Sequence, residues 1–203
     1  MRSTTTDFFL VEGDPPSKRG ILRCALHLFV RDGLCETSIR DIARASGFTN
    51  PALYKFFESK EALALHLFER CYLKLVSTFR ASLRRGSFAS ELDSLVGAFA
   101  SLVDENLEAV LFVNDTLRLL WPRMSEAARR HTLVGEVRAL IRRGREARAV
   151  PATIDEDLAV AALLGAMAQI ARMAYFGEVE LPISRRVAEI RRLFGRTLSE
   201  RES

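Results

Sequence analysis

Thr37-Ser38-Ile39-Arg40-Asp41-Ile42-Ala43-Arg44-Ala45-Ser46-Gly47-Phe48-Thr49-Asn50-Pro51-Ala52-Leu53-Tyr54 decides the reading of the chain. Ser38 and Asp41 have capping-box spacing, in which a hydroxyl and a carboxylate each satisfy the other residue's free amide, so a short helix is expected from Ile39 to about Ser46. Gly47-Phe48 forms a turn. Thr49-Asn50-Pro51 then opens a second short helix carrying Ala52 to Phe56, because proline is tolerated where first-turn amides lack intrahelical acceptors. Either Thr49 or Asn50 can be the cap. The aversion of a pre-proline residue to the α region favours Asn50.

Upstream, Leu22, Leu26, Phe29 and Val30 recur at three- and four-residue steps within Ser17–Asp32, and Gly33 supplies a stop, which predicts a preceding helix. Three helices with a glycine turn between the last two form a helix-turn-helix layout. Ile39, Ile42, Ala43, Leu53 and Phe57 are placed to clamp the pair against Phe29. Arg40, Arg44, Asn50, Tyr54 and Lys55 are left pointing outward, and Ala43 and Gly47 are small enough for close approach. Charge agrees with this placement. Residues 17–60 hold eight Lys/Arg and four Asp/Glu, a net of +4, whereas residues 1–16 carry −2 and all the rest only +2. The spacing alone fits an ordinary three-helix unit with a basic solvated face equally well.

Downstream, Ser59-Lys60-Glu61 starts a long helix to about Arg85 with Leu65, Phe68, Tyr72, Leu75, Val76, Phe79 and Leu83 on one stripe. Further helices are expected near Ala89–Asp104, Leu107–Trp121, Ser125–Arg148, Asp155–Phe176 and Ile183–Leu198. Asn106, Pro122, Val150-Pro151 and Gly177 to Pro182 punctuate them. No window alternates with period two, so the fold class is all-α. Glycine and proline total only 17 of 203 residues, which suits long helices. With 48% hydrophobic and 28% charged residues the chain can bury a core, which excludes wholesale disorder.

Cys24, Cys35 and Cys71 form an odd set without Cys-x-x-Cys spacing, as expected in a reducing cytoplasm. The short apolar run Phe8–Val11 between acidic residues is unlike a signal peptide. Leu158–Ile170 is too short an apolar run to span a bilayer, so no membrane role is expected.

The wording of the sequence distinguishes the two readings of the motif. Ile21-Leu22-x-Cys24-Ala25-Leu26-x-Leu28-Phe29, then Gly33, then Thr37 to Ala43 resemble the start of the TetR family of transcriptional regulators. So does Gly47-Phe48-Thr49-x-Pro51-Ala52-Leu53-Tyr54-x-x-Phe57-x-Ser59-Lys60-Glu61-Ala62-Leu63. The resemblance covers roughly residues 18–68. It departs at Cys24, where alanine is common, and at Phe56, where a polar residue is frequent, so Phe56 receives no DNA role.

The resemblance implies an N-terminal helix-turn-helix domain joined by a long helix to a helical effector-binding and dimerisation bundle. The expected division is a flexible tail over 1–16, a DNA-binding domain over 17–65 and the bundle over 66–203. It implies a homodimer on an inverted-repeat operator in double-stranded DNA. Thr49, Asn50, Pro51 and Ala52 would face base edges, with asparagine suited to adenine and the apolar pair to thymine methyls. Ser38, Tyr54, Lys55 and Lys60 would hold phosphates, and Arg40 a guanine or a phosphate. The implied function is a regulator, in first place a repressor released by a small, mostly apolar effector. The competing reading is a helical ligand- or protein-binding module without operator binding.

The Asp155–Phe176 helix is apolar nearly all round and must be buried all round. With the final helix it is the expected dimer interface, and the simpler reading is a helix threading a monomeric bundle. For an effector, Val110, Asn114, Leu117 and Trp121 share one helical stripe, and Gln169 sits on the later apolar helix. Asn114 and Gln169 are either ligand contacts or internally satisfied core polar groups, since an unpaired buried amide costs roughly 1–3 kcal/mol. No catalytic residue, metal site or cofactor is expected. The chain has none of the phosphate-cradling, nucleophile-elbow or zinc-helix motifs, and His27, His66 and His131 lie far apart, His66 off its helix's stripe. The Arg138–Arg148 cluster reads as a solvated face.

Overall fold

The computed structural model describes residues 7–83 and 86–199. Among these residues there are eight α-helices and no strand: α1 Pro16–Arg31, α2 Ile39–Ser46, α3 Asn50–Tyr54, α4 Lys60–Ser82, α5 Phe88–Leu120, α6 Leu133–Glu146, α7 Glu156–Tyr175 and α8 Val187–Thr197. The all-α expectation holds.

Most boundaries follow local signals. The capping box of α2 is complete, with Ser38 Oγ accepting from Asp41 N at 3.2 Å and the Asp41 carboxylate accepting from Ser38 N at 3.1 Å. Gly47 ends α2 in the left-handed region at φ 74°. A Cβ there would meet nothing within 4 Å, so glycine serves backbone conformation and not the close helix approach expected of it. Ser59 Oγ accepts from Ala62 N at 3.0 Å and starts α4. The expected end of α4 near Arg85 lies outside the described residues.

Three helices depart from expectation. α3 begins at Asn50, so the cap is extended Thr49 and not the favoured Asn50, with the Thr49 carbonyl accepting from Ala52 N and Leu53 N. The helix ends at Tyr54, short of the expected Phe56. The stretch expected as Ser125–Arg148 is divided. A 3-10 turn covers Ala128–Arg130, and α6 starts only after Thr132, whose hydroxyl accepts from Gly135 N at 2.8 Å. The last helix opens with a 3-10 turn over Ile183–Arg186, fixed by the Asp104 carboxylate, which accepts from Ile183 N at 2.5 Å and Ser184 N at 3.0 Å. The expected break at Asn106 appears as non-helical backbone inside α5 (φ −142°, ψ 39°).

The chain forms two compact units. The first comprises the described residues of Met1–Lys74 and Glu108–Arg129, the second those of Leu75–Leu107 and Arg130–Ser203. In the first, Ile21, Leu22, Ala25 and Phe29 of α1, Ile42 of α2, Leu53 of α3, and Leu63, Leu67 and Phe68 of α4 are buried. Phe112 of α5 stacks on Phe29 with centroids 5.7 Å apart and meets Phe68 edge-on at 6.4 Å. Phe68 stacks on Tyr72 at 5.8 Å, and Tyr72 meets Trp121 at 5.1 Å, so rings run continuously from α1 to the end of α5.

The segment before α1 is docked over residues 7–15 and is not free as expected for a tail. Phe9 is buried, and Asp14 accepts from Arg70 Nη2 at 3.1 Å, from Val11 N at 3.1 Å, and pairs with Lys18 at 3.0 Å. The hydrogen bonds from Arg70 hold the Asp14 carboxyl far below the usual carboxylate range. Residues 1–6 of the expected tail lie outside the described residues.

In the second unit, Leu95, Val96 and Phe99 of α5, Val137, Leu140 and Ile141 of α6, Val160, Leu163 and Met167 of α7, and Ile190 and Phe194 of α8 form the core. The α6 arginines are not simply a solvated face. Arg143 donates twice to buried Glu91, at 2.8 and 2.9 Å, while Arg138 and Arg142 pair with Glu156 at 3.1 and 3.0 Å. α7 is long and apolar enough by length and composition to cross a membrane, and 33% of its most apolar window is buried within the unit.

Candidate nucleic-acid interface

The α2–turn–α3 pair is built so that its polar residues cannot turn inward. Ile42 and Ala43 of α2, Leu53 of α3 and Phe57 just beyond it are buried, locking both helices against α1. Helical periodicity then leaves Arg40, Thr49, Pro51, Tyr54 and Lys55 exposed and Asn50 and Ala52 half-buried. Tyr54 is 54% exposed despite its size. An exposed large aromatic on a short polar helix leaves its hydroxyl free for an outside acceptor.

Charge on this surface is unevenly engaged. Arg44 donates to Asp41 at 2.8 Å, whereas Arg40 and Lys55 form no ion pair with any described residue. Ser38 is exposed, but its hydroxyl is engaged by the α2 capping box. The side chain of Thr49 makes no capping bond, so its hydroxyl is not consumed at the start of α3. Lys60 is placed differently from the other cations. Its Nζ donates to the carbonyl oxygens of Leu34 at 2.9 Å and Cys35 at 3.2 Å, holding the loop between α1 and α2. It also borders a small cavity of about 190 Å³ with Leu34, Cys35, Leu119 and Leu120.

Two further groups support the surface from behind. Buried Thr37 donates from Oγ1 to Gly33 O at 2.8 Å and Leu28 O at 3.3 Å, tying the end of α1 to the entry of α2. His66, beside the Phe57 ring at 5.3 Å, has its titration pushed down to about 4 by burial and by Arg70 and Lys18.

The residues singled out for an effector differ in exposure. Val110 is buried, Asn114 and Trp121 are half-buried and Leu117 is exposed, all in the first unit, while Gln169 lies exposed in the second and accepts from Arg172 at 3.4 Å. The inward face of this part of α5 is Ala109 to Val113, Thr116 and Leu120 instead. Among the described residues no group of three or more His, Cys, Asp or Glu could hold a metal ion.

Residues 21–67 match the model of the bacterial regulatory proteins of the tetR family. The transcriptional repressor KstR2 of Rhodococcus jostii is 30% identical over 101 residues, 49% of this chain and 50% of that protein. KstR2 of Mycobacterium tuberculosis is 31% identical over 121 residues, 57% of this chain and 60% of that protein. The matched stretches thus span about half the length of these curated relatives. The fold agrees over nearly the whole chain with the solved KstR2 of M. tuberculosis, at TM-score 0.77 and 19% identity, covering 95% of this chain and 100% of that one. It agrees equally with a tetR-family regulatory protein from Rhodococcus RHA1, at TM-score 0.79 and 18% identity, covering 93% and 100%. Over residues 21–67, which hold the α2–turn–α3 geometry described above, the chain is similar to the tetR family of bacterial regulatory proteins.

Proposed function

We propose that the chain is a sequence-specific DNA-binding transcriptional regulator, a cytoplasmic repressor that a small, mostly apolar effector releases from its operator. The observation that carries this reading is the α2–turn–α3 surface, where Leu53 and Phe57 are buried while Thr49, Pro51, Tyr54 and Lys55 face outward. The repressor names of the KstR2 relatives support it. Residues 17–65 would bind DNA and 66–203 would bind effector and partner subunit. No catalytic role is proposed.

In this reading α3 enters the major groove with Thr49, Asn50, Pro51 and Ala52 at base edges, Asn50 pairing with an adenine. Tyr54, Lys55 and Ser38 meet phosphates, and Arg40 meets a guanine or a phosphate. Lys60 belongs to the same edge, and its bonds to Leu34 O and Cys35 O make it a positioning residue for the loop before α2. Asn114, Leu117, Trp121 and Gln169 remain the proposed effector contacts.

Dimerisation through α7 is supported by what that helix leaves in water. Ala161, Ala162, Gly165 and Gln169 are exposed between Leu158 and Phe176, which are 70% and 68% exposed. A second copy would cover this apolar strip in a two-fold bundle. The test of the whole reading is a gel-shift and footprinting assay on the DNA upstream of the chain's own coding region. Protection of an inverted repeat at salt concentrations that abolish binding to random DNA is expected. Equal affinity for both DNAs would refute operator recognition.

A further inference from the structure

We infer that the second unit carries a binding groove for an anionic amphiphile, an apolar chain bearing a carboxylate or phosphate head, between the start of α5 and one flank of α8. The groove is open to solvent along its length and holds about 640 Å³, within the range of ligand-sized clefts. Its apolar surface comes from Phe88, Leu92 and Ala149, and its α8 side presents Arg192, Gly195 and Arg196. None of these residues belongs to the helix-turn-helix surface, so the inference stands apart from DNA binding.

The position of Phe88 is fixed by an unusually close contact. Its ring lies 2.7 Å from where a Cβ on Gly144 would stand, and Val150 crowds the same point at 2.7 Å. Only glycine lets the ring seat there, which makes one wall of the groove firm. The opposite wall is α8, whose core line is Ile190 and Phe194, continued past its end by Leu198. Arg192 and Arg196 lie one turn apart on its flank. Leu193, 56% exposed, faces away from the groove and leaves the other flank for a different contact.

The charge on that flank is uncompensated. Arg191 is held by Asp93 at 3.0 Å and serves as a fixed edge. Arg192 and Arg196 are exposed and form no ion pair with any described residue, although like charges one turn apart repel. Two guanidinium groups over an apolar trough recognise a planar or tetrahedral oxyanion by charge-assisted hydrogen bonds, while the trough takes an aliphatic chain. A purely apolar ligand would leave both cations unanswered, and a small inorganic anion would leave the apolar wall wet.

Gly195 supplies a clean test, because a Cβ there would meet nothing within 4 Å. A large side chain at this position therefore fills the groove without pressing on the core. The experiment is calorimetric titration of the full chain, without DNA, using decanoate, decyl phosphate and decan-1-ol. At least one of the anions is expected to bind one per chain, at least tenfold more tightly than decanol, the tighter anion naming the head group. The double variant Arg192→Gln/Arg196→Gln should lose tenfold or more for that anion while leaving decanol unchanged. Gly195→Phe should abolish binding, and Gly195→Ala should keep it. Circular dichroism confirms that each variant is folded, and the arginine variant decides the matter should Gly195→Phe not fold. Absence of binding by both anions overturns the inference, as does parity with decanol or an undiminished affinity in the folded arginine variant.

Discussion

Replacing Phe112 with alanine removes the ring that α1, α4 and α5 share. Phe112 is 1% exposed, stacks on Phe29 with an interplanar angle of 15° and meets Phe68 at 73°. Truncating a fully buried phenylalanine costs about 3–5 kcal/mol through lost transfer energy and the cavity left behind. Of that, each ring pair accounts for about 0.5–1.5 kcal/mol beyond area. For a chain of this size a loss of 1 kcal/mol lowers Tm by roughly 2–4 °C, so the melting temperature should fall by about 6–20 °C. Phe112→Leu keeps most of the volume and should lose only the pair energies, about 1–3 kcal/mol. The assay is thermal unfolding followed by far-ultraviolet circular dichroism on Phe112→Ala, Phe112→Leu, Phe29→Leu and the double leucine variant. The double-mutant cycle should return a coupling of about 0.5–1.5 kcal/mol for Phe29–Phe112. A fall below about 2 °C for Phe112→Ala, or strict additivity in the cycle, would refute the ring continuity as a source of stability.

Asn50→Ala should cost about 1–3 kcal/mol on the operator and almost nothing on random DNA, measured by competition titration; equal losses on both would move base reading away from α3. Lys60→Met, which keeps the stem and loses both hydrogen bonds, should speed amide exchange over residues 33–38 and weaken operator and random DNA alike. Unchanged exchange would deny its positioning role. Gly165→Arg should yield monomers by sedimentation, since the charge would enter the proposed close crossing of α7 with its copy; a dimer of unchanged affinity argues for another interface. His66 titrates near 4 when folded against about 6.5 unfolded, so the unfolded state binds more protons and stability should fall as pH drops from 6.5 towards 4, with a slope of at most about 1.4 kcal/mol per pH unit. His66→Leu should flatten that limb in denaturant titrations between pH 7 and 5, and a persistent slope would assign it to other groups.

What was legible in the sequence is what neighbouring residues decide. Ser38 with Asp41, Gly47, Ser59 and Asn106 each act within four residues, and each appears in the structure where the spacing puts a cap, a turn or a break. The helix-turn-helix core of Ile42, Ala43, Leu53 and Phe57 was legible for the same reason, because helical period alone sorts it from the outward face. The remainder depends on partners far along the chain. Asp14 finds Arg70 across 56 positions, Glu91 finds Arg143 across 52, and Asp104 reaches Ile183 across 79. Nothing local marks these residues, and an isolated carboxylate in a helical pattern reads as solvated until its partner is known. Thr132 was overlooked although its signal is local, because the run of arginines around it resembles an uninterrupted helix. The exposure of Leu117 on the α5 stripe through Asn114 has a subtler reason. Five consecutive buried residues, Ala109 to Val113, place the inward face broadly, and Leu117 falls outside it.

α7 shows where periodicity stops being informative. An apolar residue at nearly every position gives no preferred face, so pattern alone demands burial all round. The structure instead divides the helix. Val160, Leu163, Met167 and Ala171 enter the core of the second unit, while Ala161, Ala162 and Gly165 stay in water. Twenty residues at about 1.5 Å each reach roughly the thickness of a bilayer's hydrocarbon core, so length does not discriminate between an interface and a lipid-facing role. The charges do. Glu156 at the first turn accepts from Arg138 and Arg142 of α6, Asp155 caps the helix at Leu158 N, and Arg172 lies in the last turn. These contacts pin the start of α7 to α6, and Ala161, Ala162 and Gly165 fall on the face left open. A face of alanine and glycine offers little side-chain area to lipid but lets a second helix approach to backbone distance. Close approach by another helix is therefore the arrangement this surface fits, and a second copy of α7 presents the same small residues in return.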